Sequence, residues 1–411
     1  MLDHVDVGVV DFKRYEPYTA PELVREIRQL AKELKGARVL QVNATAYGGG
    51  VSELLRSVVP IYRGLGINVD WKCIYGDPQF FSITKSFHNA LQGAPEELSR
   101  LAGETYLMYN KLNADLLDDD YDFYVMHDPQ PLAIRHFKGK NGAKWVWRCH
   151  IDTSSPNEEV LAFITRYVLE YDALVFTMQR FVPPGIEHQK LAIIPPAIDP
   201  LSPKNMTLPD GLCREMIAWL GVDPDRPLLT QVSRFDPWKD PFGVVEVYRR
   251  VREKVPGLQL ALLGSMALDD PEGWGIYNQI VAETKGDDDI HVRTNLVGVG
   301  NMEINAFQRG SDVVIQKSIR EGFGLIISET LWKGTPVVAN RAGGIPLQMD
   351  DGVGGFLVEN TEQAIEKVLY LLRHKKEARE IGLAGQERVR ERYLTPRLVA
   401  DWLRLLVSLK D

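Results

Sequence analysis

Short runs of β-branched and aromatic residues alternate along the chain with segments whose apolar positions recur every three and four residues. In the first half, Arg38–Asn43, Asn68–Ile74, Asp122–Met126, Lys144–Cys149, Leu174–Thr177 and Leu191–Ile194 are nearly continuous in apolar character. Such runs predict strands buried on both faces of a parallel sheet. Val51–Arg63 and Glu158–Glu170, which lie between them, carry the helical period. The second half repeats the scheme. Leu228–Ser233, Gln259–Leu263, Ile290–Arg293, Asp312–Gln316, Pro336–Ala339 and Gly355–Val358 read as strands, and Phe242–Val255, Gly275–Lys285, Leu325–Lys333 and Thr361–Arg373 as helices. Strand–helix alternation implies right-handed βαβ units, that is, an α/β fold with helices on both faces of parallel sheets.

Two such series predict two doubly wound domains; a single (β/α)₈ barrel would take only about 250 residues. The length of 411 residues fits two or three domains. The segment Pro195–Pro209 holds five prolines, which suit neither a helix interior nor a central strand, and it is the expected boundary. Leu398–Leu409 is amphipathic and predicts a closing helix that packs on the protein. Its polar face is too poor in basic residues for a membrane anchor.

Charge narrows the classes of function. The 48 basic and 56 acidic side chains leave a net charge of −8, which disfavours nucleic acid and anionic membranes as partners over a wide surface. A phosphate must therefore be held locally. Cys73, Cys149 and Cys213 have neither a disulfide pattern nor a zinc spacing. The opening residues lack a secretory leader pattern, and no uncharged apolar run nears the ~18 residues of a membrane span. These features lead to the expectation of a cytoplasmic protein.

In open α/β sheets ligands sit beyond the carboxyl ends of strands, so candidate chemistry is sought there. Gly48-Gly49-Gly50 follows the first long strand and precedes a helix, as either a tight turn or a ligand loop. It does not match G-x-G-x-x-G, so the dinucleotide fingerprint fails. Arg234 and Lys239 follow the first strand of the second half. By themselves they are either solvated surface cations or a fork and point charge for a diphosphate.

Glu321-Gly322-Phe323-Gly324-Leu325 follows the strand ending at Gln316 and opens a helix that carries Glu329. The glycines let backbone amides approach an anion where the helix dipole also favours a phosphate, and Glu329 can accept hydrogen bonds from a ribose diol. This pattern turns the reading of Arg234 and Lys239 toward a ligand with a sugar at one end and a nucleoside at the other. His150 ends a first-half strand and is a candidate for catalysis, with Asp152 beside it as a candidate for sugar binding; His127-Asp128 ends another strand and is a second-rank candidate. Asp118–Asp120 and Asp287–Asp289 precede strands, at the wrong end of the sheet for a metal-binding Asp-x-Asp site, and read as solvated turns.

In this order, these elements resemble the retaining family 4 glycosyltransferases of GT-B fold, in which two Rossmann-like domains face an interdomain cleft. The resemblance implies that Arg234 and Lys239 bind the donor diphosphate, Glu321 contacts the transferred hexose and Glu329 the ribose. It implies that Gly322, Phe323, Gly324 and Leu325 contact phosphate and sugar through their amides, and that Gly48, Gly49, Gly50 and His150 face sugar and acceptor. It also implies a domain division of 1–198 plus a crossover helix 396–411, against 199–395.

More finely, Thr45–Glu53, Tyr75–Phe81, His88–Gly93 and His127–Pro131 look like the trehalose glycosyltransferring synthases. That likeness implies transfer from NDP-glucose to D-glucose, with retention, to give α,α-trehalose. Asn89, Gln92, Asp77 and Gln79 would then meet acceptor hydroxyls, and Tyr47, Phe80 or Phe81 would stack on a pyranose. The alternative is another family 4 acceptor or donor, as in sucrose-type or mannosyl transfer. No protein-bound cofactor or metal is expected, Mg²⁺ accompanying the nucleotide at most, and the likeness leaves room for a homodimer.

Overall fold

The computed structural model describes residues 2–47, 49–118, 120–266 and 271–410. The chain divides into two compact units, Met1–Ala197 with Thr395–Asp411, and Ile198–Leu394. The first of these breaks falls inside the proline-rich segment Pro195–Pro209.

In the first unit, β1 (Asp3–His4), β2 (Arg38–Asn43), β3 (Asn68–Cys73), β4 (Phe123–His127), β5 (Lys144–Arg148), β6 (Ala173–Phe176) and β7 (Leu191–Ile193) form one sheet in the order β1-β3-β2-β4-β5-β6-β7. All neighbours are parallel except β1, which runs antiparallel to β3. Every residue of β4 and of β6 is buried, as helices on both faces require. The Tyr124 and Trp145 rings of adjacent strands stack at 4.2 Å between centroids. The helix Pro78–Leu91 starts where it does because Pro78 suits the first helical position and the Asp77 carboxylate accepts the Phe80 N–H at 2.8 Å.

The C-terminal helix Thr395–Lys410 packs on Pro21–Glu33 within this unit. Its Leu398, Leu403, Leu406 and Leu409 are buried. On the polar side, Arg404 makes two 2.7 Å bonds to the Glu26 carboxylate, and Arg397 donates to the carbonyls of Pro195 and Pro196 at 2.8 and 2.9 Å.

The second unit holds β8 (Leu228–Val232), β9 (Gln259–Gly264), β10 (Ile290–Thr294), β11 (Val313–Gln316), β12 (Val337–Asn340), β13 (Asp350–Asp351) and β14 (Gly354–Val358), in the all-parallel order β10-β9-β8-β11-β12-β14-β13. In each unit the chain builds outward in one direction, then returns past its starting strand and builds in the other. The reversals fall between β2 and β4 and between β8 and β11. Above these pairs the connections part, leaving a crevice at the carboxyl ends.

The helix Lys375–Arg392 lacks an apolar stripe that the chain's pattern would reveal. It buries only Ala378, Gly382, Gly385 and Val389. A Cβ on Gly382 would lie 2.0 Å from the Gly334 carbonyl oxygen, so the helix approaches its neighbours by having no side chain there.

The apolar face of the C-terminal helix, more than its surface ion pairs, should hold it in place. Leu403→Ala is expected to cost about 2–5 kcal/mol of stability and Arg404→Ala less than about 1 kcal/mol. Urea unfolding of both variants measures the contrast.

Candidate active site

In the second unit the two loops over the reversal are joined. After β8, the Asp236 carboxylate accepts the Trp238 N–H at 2.8 Å and shapes the turn Pro237–Lys239. After β11, the Ile319 N–H reaches the Trp238 carbonyl at 2.8 Å and ties the loops together. Lys239 Nζ lies 2.7 Å from Glu321 Oε2, which also accepts from Ser318 Oγ at 3.1 Å. Both charged side chains are mostly covered, while Arg234 is two-thirds exposed (67 %) and, among the described residues, pairs with Asp236 at 3.3 Å. The loops therefore present one shielded cation, one exposed cation and a carboxylate whose second oxygen makes no hydrogen bond among the described residues.

Gly324 takes φ +78° as it caps the helix Leu325–Trp332, a conformation that favours glycine. The first amides of a helix have no intrahelical partner, and here they begin beside Glu321. The loop is fixed from beneath. Gly344 donates its N–H to the Gly322 carbonyl at 2.8 Å. The fully buried Gln348 donates to the Phe323 carbonyl at 2.5 Å and accepts from the Ser328 amide at 2.9 Å. A Cβ on Gly343 would lie 1.6 Å from the Glu321 carbonyl oxygen. Glu329 faces the interior, 4 % exposed, with Lys204 Nζ 3.5 Å from its carboxylate. A ribose that reached Glu329 would have to enter beside Lys204.

In the first unit the carboxyl ends of β2, β4 and β5 bring together Gln41, His127, Asp128, Arg148 and His150. His127 Nε2 is 2.7 Å from Gln41 Oε1, and His127 Nδ1 is 2.9 Å from His150 Nε2. Asp128 holds φ +64°, and its carboxylate accepts the His150 N–H at 2.7 Å. Burial governs the charges. It pushes His127 down to about 3, helped by the Arg148 cation, and holds His150 well below the ordinary imidazole value. It raises the Asp128 carboxyl to about 6 and lowers Arg148 to about 10. Both imidazoles are thus neutral, and the buried Arg148 reaches only Thr177 Oγ1, at 3.2 Å, among the described residues.

Of the other sequence-predicted positions, Gly48 lies outside the described residues. Gly49 caps the helix Gly50–Gly64 with φ +103°, and Gly50 opens it. Asp152 is half-buried and accepts the Ser154 N–H at 3.1 Å. Asn89 is half-buried near the end of its helix and accepts the Gln92 and Ala94 N–H groups through its backbone carbonyl at 3.0 Å each. Asp287 and Asp289 pair with Arg252 and Arg226, at 2.7 Å in each case, ahead of β10. Asp118 pairs with Lys72. Among the described residues no three His, Cys, Asp or Glu side chains converge as a metal site, and no helix is long and apolar enough to cross a membrane.

Gln41, Arg148, Gln348, Gly343 and Lys204 join these sites without having been expected from the chain's pattern. Only Gly343-Gly344, a glycine pair after a strand, carried a visible signal.

Comparison with known proteins agrees with this architecture. Residues 41–183 match the family model described as trehalose synthase, N-terminal domain, and residues 214–388 match the one described as glycosyl transferases group 1. The chain is 50% identical to a trehalose synthase of Rubrobacter xylanophilus, across 100% of this chain and 99% of that one. It is 46% identical to a trehalose synthase of Pyrococcus horikoshii, across 96% and 95%. Among solved structures, sucrose-phosphate synthase from Thermosynechococcus elongatus matches with TM-score 0.69 at 17% identity, covering 91% of this chain and 99% of that one. An Anabaena protein in complex with UDP and glucose matches with TM-score 0.68 at 15% identity, covering 90% and 100%. Two Rossmann-like domains with a group 1 glycosyltransferase domain define a glycosyltransferase of GT-B fold. The chain belongs to the trehalose synthase family, and its chemistry is trehalose-related glycosyl transfer.

Two tests follow from the geometry. Gly343→Ala places a methyl group against the Glu321 carbonyl and should displace that loop, lowering transferase activity by about tenfold or more while leaving the circular dichroism spectrum unchanged. The second concerns pH. A folded-state imidazole pKa below the unfolded value of about 6.5 means that the unfolded chain takes up the proton first. Stability is then lost as pH falls below about 6.5, by up to about 1.4 kcal/mol per unit for each such histidine. His127→Gln should flatten the fall in urea-unfolding stability between pH 6.5 and pH 4 by about that slope.

Proposed function

We propose that the protein is a retaining glucosyltransferase that joins the glucosyl group of an NDP-glucose to D-glucose, forming α,α-trehalose and NDP reversibly. The observation that carries this reading is the convergence of Lys239, Glu321 and the Gly322–Leu325 loop over the reversal of the second sheet, with Arg234 on the same loop as Lys239. The trehalose synthase relatives support the product. The fold neighbour with UDP and glucose supports a nucleotide and a sugar as ligands of such a fold.

Cleavage of the donor C1–O bond leaves positive charge on the sugar and negative charge on the departing diphosphate. Arg234, Lys239 and the helix amides next to Gly324 stabilise the diphosphate electrostatically, and Glu321 orients the hexose. Glu329 takes the ribose. His150 positions a substrate hydroxyl, and the acceptor is assigned to the first unit with Asn89, Asp152 and the Gly48–Gly50 loop. The acceptor oxygen attacks C1 on the face that the diphosphate leaves, and the leaving phosphate oxygen takes the acceptor proton. No protein carboxylate is assigned as a nucleophile, in contrast to retaining glycosidases. Any Mg²⁺ is carried by the nucleotide, and the enzyme is assigned to the cytoplasm.

Incubation with a panel of NDP-glucoses and free glucose should yield α,α-trehalose, identified by NMR. A product formed only with fructose, a phosphorylated acceptor or a mannosyl donor would overturn the substrate assignment. Glu321→Ala and Arg234→Ala should each lower transfer by about a hundredfold or more with the fold intact; unchanged turnover in either would refute the donor site.

A further inference from the structure

Gln41 and His127 stand on the adjacent strands β2 and β4, and His150 lies two residues beyond the end of the next strand, β5. Gln41 on β2 lies in register with Val125 of β4, and His127, two residues on, shares the face of Val125. His127 lies in register with Arg148 of β5, two residues before His150. The side chains form a line of two hydrogen bonds, 2.7 Å from Gln41 Oε1 to His127 Nε2 and 2.9 Å from His127 Nδ1 to His150 Nε2. The two rings are nearly parallel, with planes 20° apart and centroids 5.2 Å apart, so they meet edge to edge through those nitrogens.

A neutral imidazole carries one N–H and one bare nitrogen, so a chain of such rings has a direction set by its first member. The Gln41 carbonyl oxygen can only accept. His127 must therefore carry its hydrogen on Nε2 and leave Nδ1 bare. That bare nitrogen must in turn be met by an N–H on His150 Nε2. His150 is then bare at Nδ1, which makes no hydrogen bond among the described residues on a half-buried side chain.

We propose that Gln41 and His127 are positioning residues that fix the tautomer of His150, so that its bare Nδ1 is presented as a hydrogen-bond acceptor to a sugar hydroxyl. The charged and titratable groups around the line agree with two neutral rings. Arg148 is a buried cation whose field opposes protonation of both, and Asp128 engages the His150 backbone N–H instead of its ring. The consequence is specificity of a stated kind. The partner at His150 must donate, so a hydroxyl qualifies, whereas fluorine, a methoxy group or a carboxylate does not.

The substrate half of this inference rests on the proposed function; the tautomer half does not. ¹⁵N NMR of the histidines in the ligand-free protein at neutral pH should show His127 and His150 both as Nε2–H tautomers. A His150 protonated at Nδ1 would mean that the Gln41 amide is turned the other way, and would overturn the proposal. In Gln41→Met, which keeps the volume and removes the acceptor, His150 should divide between tautomers and kcat should fall by about tenfold or more, since a histidine in the wrong tautomer loses activity with its geometry intact. An unchanged His150 tautomer in that variant also overturns it. Among monodeoxyfluoro-glucoses, the one that wild type turns over most poorly should lose that disadvantage in Gln41→Met; persistence of the full penalty would refute the contact with a hydroxyl. Expected tautomers in a protein that forms no trehalose would refute the proposed function alone.

Discussion

A parallel strand can be followed by its neighbour on either side, but not on both at once. Where a sheet changes direction, the two crossover connections leave in opposite senses and cannot cover the space between them. This chain reverses once in each unit, between β2 and β4 and between β8 and β11; Gln41 and His127 lie on the first pair, and the loops with Lys239 and Glu321 follow the second. The buried strands supply the rigidity. Because β4 and β8 are covered on both faces, the residues that leave their carboxyl ends emerge from fixed positions, and the loops inherit that precision.

The two crevices use their burial differently. In the second unit, opposite charges meet: Lys239 and Glu321 are mostly covered and neutralise each other at 2.7 Å. A lone buried charge would be costly, so each ion holds the other in place until a ligand offers a better partner. In the first unit, like-natured groups are kept uncharged. Burial and the neighbouring Arg148 cation leave two imidazoles neutral, which converts them from ions into directional hydrogen-bonding groups. An anion suits the first arrangement and a polyhydroxylated neutral molecule suits the second. A nucleotide-sugar and a free sugar meet those demands.

Much of the framework was legible because parallel strands buried on both faces must be apolar throughout. The helix Thr361–Arg373 coincides with its predicted bounds, and most strands lie within a residue or two of theirs. Helices that pack through glycine and alanine, such as Lys375–Arg392, were not legible, since close approach of backbones leaves no apolar stripe. At the sites, Arg234, Lys239, Glu321 and His150 stood out because they follow strands as charged or titratable residues, Glu321 beside glycines as well. Gln348 and Gln41 did not, because a buried amide that holds a loop or orders a ring looks, in the chain, like any surface glutamine. Glu329 was legible as a residue but not as an environment: its burial against Lys204 arises from a segment more than a hundred residues earlier.

The account depends most on the second crevice being the place where a diphosphate lies. A crystal structure of the protein with a bound nucleoside diphosphate tests this directly. The account predicts phosphate oxygens within hydrogen-bond distance of Arg234, Lys239 and the Gly324–Leu325 amides, with Lys239 drawn away from Glu321. A diphosphate bound elsewhere, with the Lys239–Glu321 pair intact at 2.7 Å, would contradict it.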